Sequence, residues 1–155
     1  MGSGKSTVGA RVADLAGAPF TDLDTMIEHE AGMTIREIFA MRSEAGFRAL
    51  ESRLLPDVLQ PGAVVALGGG TPVDESNWRL ISERAITVYL DVPFETIWKR
   101  VGPAASRPLA TGRSRSELEA LLDERRPRYE QASHRVDADR PAQVVAEEVL
   151  KIWSA

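Results

Sequence analysis

Between Lys5 and Ala16 the apolar residues Val8, Val12 and Leu15 recur at three- and four-residue steps, which predicts a helix that Gly17 ends. Phe20-Thr21-Asp22 predicts a short strand, and a helical stretch from about 25 to 31 runs up to Gly32. Thr34 and Glu37 have capping-box spacing at the start of a short helix through Ile35, Ile38 and Phe39. A longer amphipathic helix carries Phe47, Leu50, Leu54, Val58 and Leu59, with Pro61-Gly62 as its punctuation. Ala63-Val64-Val65-Ala66-Leu67 is a continuous apolar run, the pattern of a strand buried on both faces, and Gly68-Gly69-Gly70 stops it. A helix over about 74–84, a strand over 85–91 and a helix over 93–101 follow. Residues 102–116 have no apolar period and hold Gly, Pro, Ser and three arginines, which predicts a loop long enough to move. A charged helix over about 116–133 containing Pro127, a short strand at Arg135-Val136-Asp137 and an amphipathic helix over 141–153 complete the pattern. The alternation is that of βαβ units, so the expected fold is α/β with a parallel sheet covered by helices.

Composition narrows the picture in three ways. At 155 residues with 43% hydrophobic content the chain has the size and core-forming capacity of one domain. The net charge of −4 disfavours nucleic acid and anionic membranes as partners, so any anion site must be local. The absence of cysteine excludes disulfides, thiolate metal sites and thiol catalysis. No apolar run reaches membrane-spanning length and no signal peptide opens the chain, so a cytoplasmic protein without nucleic-acid or membrane partners is expected.

The chemistry is concentrated at the front. Gly2-Ser3-Gly4-Lys5-Ser6 matches the last part of G-x-x-x-x-G-K-[ST], directly before the first predicted helix. Small residues let backbone N–H groups curl around phosphate oxygens, Lys5 reaches the terminal phosphates, and the Ser6 hydroxyl suits Mg²⁺. Asp22 and Asp24 lie two apart and share a face if the strand continues through them. Alone they read equally well as a solvated turn; beside a phosphate loop they fit support for Mg²⁺ and a base for an acceptor hydroxyl. Three successive glycines after a buried strand are costly unless the backbone must approach something closely. By spacing alone Arg48, Arg125 and Arg126 read as solvated helical charges, and Arg107-Pro108 as either a surface turn or an arginine on a lid. Trp78, Trp98, Trp153 and the methionines read as packing, and His29 and His134 as surface residues.

The ordered set of motifs carries more. Gly-Ser-Gly-Lys-Ser, Asp-x-Asp, Phe47-Arg48 with Glu51 three residues on, Gly-Gly-Gly, Arg107-Pro108-Leu109, and Arg-x-Pro-x-Tyr ending at Tyr129 together resemble shikimate kinase from Met1 to the last helix. The resemblance implies a P-loop fold like that of nucleoside-monophosphate kinases, with five parallel strands, a mobile lid, and ATP and Mg²⁺ acting on shikimate. It implies a nucleotide site at Gly2, Ser3, Gly4, Lys5, Ser6 and Thr7, with Arg107 reaching the phosphates from the lid and Arg100 and Arg140 flanking the adenine. Ser6 and Asp22 would serve the metal. Asp24 would hold the acceptor hydroxyl, Arg48 and Arg125 the shikimate carboxylate, with Glu51 orienting Arg48. Phe39 and Phe47 would wall the pocket, and Gly68, Gly69 and Gly70 would contact the hydroxyls. Lys5, Asp24 and Arg107 are the expected catalytic set, in a monomer.

In that family the strand ahead of the loop is central, so a chain starting at Met1 is expected to leave two unpaired edges and to fold poorly or bind ATP weakly. Met1 is therefore expected to be an internal methionine of a longer natural chain, or its start site to be misassigned, which the intact mass of the native protein tests. Competing readings are another small-molecule kinase such as gluconate kinase, and a nucleotide-binding remnant without turnover.

Overall fold

The computed structural model describes residues 2–101 and 113–155. Its elements alternate as α1 (Lys5–Ala16), β1 (Phe20–Asp22), α2 (Leu23–Ala31), α3 (Ile35–Val58), β2 (Val64–Ala66), a 3₁₀ turn (Thr71–Val73), α4 (Glu75–Arg84), β3 (Val88–Asp91), α5 (Phe94–Val101), α6 (Arg115–Tyr129), β4 (His134–Asp137) and α7 (Ala142–Trp153). All strand pairing is parallel: Thr21 lies opposite Val65, and Leu90 opposite Val136.

The sheet is present as two pairs, β1–β2 and β3–β4. Between them the second edges of β2 and β3 line a cavity of about 550 Å³, bounded also by Val8, Gly9 and Val12 of α1 and by Leu122 and Val149. Period-two alternation explains the rest of the core: Val64 packs with the cluster built from α1, α5, α6 and α7, while Val65 packs with the cluster built from α2, α3 and α4. Leu23, Ile27, Ile38 and Leu55 are wholly buried in the second cluster, each contributing about 2 kcal/mol of hydrophobic stabilisation. Val64 and Val65 are only half-buried, because the cavity removes the neighbour that a strand covered on both sides would have.

Local signals set most boundaries. The Thr34–Glu37 capping box forms as expected, and a second, Ser114 with Glu117, starts α6 at Arg115, earlier than the apolar pattern indicates. The two helices expected from 34 to 59 are joined across a kink at Ser43, whose φ of 63° and ψ of 175° belong to a region that costs a non-glycine residue about 1–3 kcal/mol. The strand expected over 85–91 forms only from Val88, since Ala85 caps α4 and Ile86 is exposed. Met41 and Trp153, expected to pack, are exposed at 72% and 38%. Most of the loop expected over 102–116, Arg107 included, lies outside the described residues. Among the described residues no helix is long and apolar enough to cross a membrane.

Candidate active site

The glycine-rich segment enters α1 through two left-handed residues, Gly2 (φ 66°) and Gly4 (φ 85°), conformations that a side chain would strain. Gly4 is the N-cap of α1, and no side chain or acidic residue caps the first turn. The opening N–H groups and the positive end of the helix dipole are therefore directed at the loop, with half-buried Lys5 and exposed Ser6 and Thr7 beside them. Ser3 is half-buried and reaches the edge of the cavity. Arg100, at the end of α5, donates to the Gly2 carbonyl at 2.9 Å, which ties that helix to the loop.

Asp22 ends β1 and caps α2, accepting from the backbone N–H groups of Asp24 at 3.0 Å and Thr25 at 3.4 Å. Its other carboxylate oxygen accepts from the Ser6 hydroxyl. This corrects the expected arrangement of the pair. The chain turns helical at Leu23, because Asp22 is itself an N-cap, so Asp24 sits in the first turn of α2 and does not share a strand face with Asp22. Asp24 instead turns toward the glycine run: a Cβ on Gly68 would stand 3.0 Å from its Oδ1.

A buried polar network fixes the facing wall. Glu51 of α3 is fully buried; Oε2 pairs with Arg48 Nη1 at 2.5 Å and Oε1 accepts from the Thr71 hydroxyl at 2.6 Å. Asn77, also buried, donates to the Thr71 carbonyl at 3.2 Å. Every polar atom of Glu51 is thus engaged, which an anion buried at this depth requires. The Arg48 guanidinium lies over Phe47 at 5.2 Å from the ring centroid and covers Gly70 so closely that a Cβ there would fall 2.4 Å from Nη2. The close approach expected of the glycines is therefore an approach to Asp24, Glu51 and Arg48. Phe39 and Phe47 meet with ring centroids 5.0 Å apart.

Arg125 approaches from α6. It is 8% exposed, and among the described residues no carboxylate forms an ion pair with it. The Tyr129 hydroxyl, one turn further along, donates to the Gly69 carbonyl at 2.6 Å. Burial pushes its pKa up, with the positive charges of Arg125 and Arg48 acting in the opposite direction. Arg140 is engaged elsewhere: its fork donates to the Asp137 carbonyl at 2.7 and 2.9 Å and pairs with Glu148 at 2.5 Å.

Three members of this site carried no assigned role in the sequence: Thr71, Asn77 and Tyr129. Thr71 directly follows the glycine run and Tyr129 stands at the i+4 position from Arg125, signals that could have raised both; nothing local marks Asn77.

Known proteins similar to this chain identify its family. The family model described as shikimate kinase matches residues 1–153. A shikimate kinase of Salinibacter ruber is 43% identical over 100% of this chain and 81% of its own length. The shikimate kinase structure from Aquifex aeolicus superposes with a TM-score of 0.88 at 34% identity, covering 99% of this chain and 92% of that one. A shikimate kinase from Acinetobacter baumannii, solved in complex with shikimate, also gives a TM-score of 0.88, at 31% identity over 99% of this chain and 88% of the other. With an uncapped helix behind a glycine-rich loop, two guanidinium groups around a glycine run, and matches that extend end to end, the chain belongs to the shikimate kinase family.

Proposed function

We infer that this chain transfers the γ-phosphoryl group of ATP to the 3-hydroxyl of shikimate, giving shikimate 3-phosphate and ADP. The observation that carries the acceptor assignment is Arg125, a buried guanidinium with no carboxylate partner among the described residues, one helical turn from the tyrosine that binds Gly69. A buried cation of this kind is stabilised by an anion from outside, and a planar fork suits a carboxylate. Shikimate, with which the Acinetobacter baumannii protein was solved, has that group.

The roles follow from position. The N–H groups from Gly2 to Thr7 and the Lys5 ammonium hold the phosphates, with Arg100 bracing the loop through Gly2; Arg107 lies outside the described residues. Ser6 and Asp22 present a pair of hard oxygens in contact, a donor set that fits Mg²⁺. Among the described residues no three metal-ligating side chains gather, and an ion carried largely by phosphate needs only one or two. When bound, Mg²⁺ neutralises charge on the β- and γ-phosphate oxygens. Asp24 orients the acceptor hydroxyl for in-line attack and takes its proton onto the carboxylate. Phe39 and Phe47 exclude water beside the ring, and Gly68, Gly69 and Gly70 meet its hydroxyls. Arg140, three residues past β4, would flank the adenine while Asp137 and Glu148 hold its fork. The working form is a cytoplasmic monomer.

Arg48→Ala tests the acceptor assignment. The shikimate KM is expected to rise about thirtyfold, the loss of a charge-assisted contact of ~2 kcal/mol, while the ATP KM stays within threefold. Because the change also strips buried Glu51 of its cation, Arg48→Lys is the companion: it keeps that charge and should recover the melting temperature without recovering the shikimate KM. Steady-state ADP release with each substrate varied in turn reads the split; equal changes in both KM values would count against the assignment. A shikimate-dependent signal in the same assay also separates turnover from mere nucleotide binding.

A further inference from the structure

Tyr129 closes α6 one helical turn after Arg125, so the two side chains lie on the same face. The phenol hydroxyl donates to the Gly69 carbonyl at 2.6 Å, and buried Arg125 stands one turn back on the same helix face. A hydroxyl has one proton and two lone pairs, so while donating to Gly69 it can still accept from a guanidinium and leave the other N–H groups of that fork for a ligand. The ring packs on Tyr89 with centroids 5.5 Å apart, and Arg128 fastens this end of α6 to α4 by lying over Trp78 at 5.4 Å and pairing with Glu75. Burial raises the Tyr129 pKa, so the oxygen keeps its donor proton at neutral pH.

We propose that Tyr129 is a positioning residue for carboxylate recognition: its oxygen fixes the Arg125 fork and the Gly69 backbone relative to each other, so that the substrate acid meets a preset receptor. The inference rests on the shikimate reading and extends it to a side chain that touches neither substrate. Its physical content is that a guanidinium immobilised beforehand does not lose that rotamer freedom on binding.

Tyr129→Phe removes one oxygen and keeps the ring. The shikimate KM and the calorimetric dissociation constant should each rise about tenfold, with kcat and the ATP KM within twofold of the parent. Shikimate methyl ester supplies the discriminating arm. If Tyr129 acts through Arg125 on the carboxylate, the parent and the variant should handle the uncharged ester alike. Tyr89→Phe is the control for losing a tyrosine hydroxyl from the same aromatic pair, and should leave shikimate binding unchanged. An unaltered shikimate KM in Tyr129→Phe, or equal losses with the acid and the ester, would overturn the inference. A parent chain that binds no shikimate in calorimetry would overturn the substrate reading itself, and the role of Tyr129 with it.

Discussion

Lys5→Met is expected to lower kcat by about a thousandfold while leaving the melting temperature within about 2 °C of the parent. The ammonium is placed by its helix: Lys5 is the first residue of α1, behind a left-handed Gly4, so its charge joins the uncapped N–H groups at the same end. That charge counts most when negative charge redistributes over the transferring phosphoryl oxygens, so its loss falls on the transition state more than on ground-state ATP binding. Methionine preserves the length and most of the apolar contact of the side chain, which keeps the fold out of the comparison. ADP release and a thermal melt on one preparation check both halves. Turnover within tenfold of the parent would remove Lys5 from the catalytic set.

Arg125→Met should change two properties in opposite directions. Arg125 is buried without a carboxylate partner among the described residues, so its desolvation is only partly offset. An apolar side chain of similar reach should raise the melting temperature by about 3 °C, ~1 kcal/mol of stability, and raise the shikimate KM by about two orders of magnitude. An ordinary structural arginine would lose stability on the same change. A stabilised variant that binds shikimate poorly is the signature of a group held at a cost for its ligand. Differential scanning calorimetry with and without shikimate checks it, and a variant both less stable and unimpaired in binding would refute the role.

What the sequence made legible depends on the range of the interaction. The α1 period and the Thr34–Glu37 box are written within a few residues, and both form where expected. Asp24 was misplaced because Asp22 has two readings, strand residue and N-cap, and only the observed backbone selects the second. The Glu51–Thr71–Asn77 network spans 20 and then 6 positions, and neutral hydroxyl and amide groups leave no periodic trace. The Tyr129–Gly69 bond closes 60 positions, so only the tertiary fold brings it about. The glycine run was readable as a place of close approach, yet its immediate neighbours, the Arg48 guanidinium and two carboxylates, required coordinates. The parallel strands were foreseen. Their division into two pairs followed from the family pattern, and the half-burial of Val64 and Val65 shows its effect on the core.

The cavity between β2 and β3 gives each of these strands two kinds of peptide group. Val64 donates to the Pro19 carbonyl, so Val64 and Ala66 turn their amides to β1 and Val65 turns its own the other way. On β3 the Thr87 and Asp91 carbonyls receive the His134 and Ala138 amides, which directs Tyr89 and Asp91 to β4 and leaves Val88 and Leu90 facing the void. Deuterium uptake along these strands should therefore alternate, slow and fast on successive residues, and any extended peptide that seats in the void would erase the alternation.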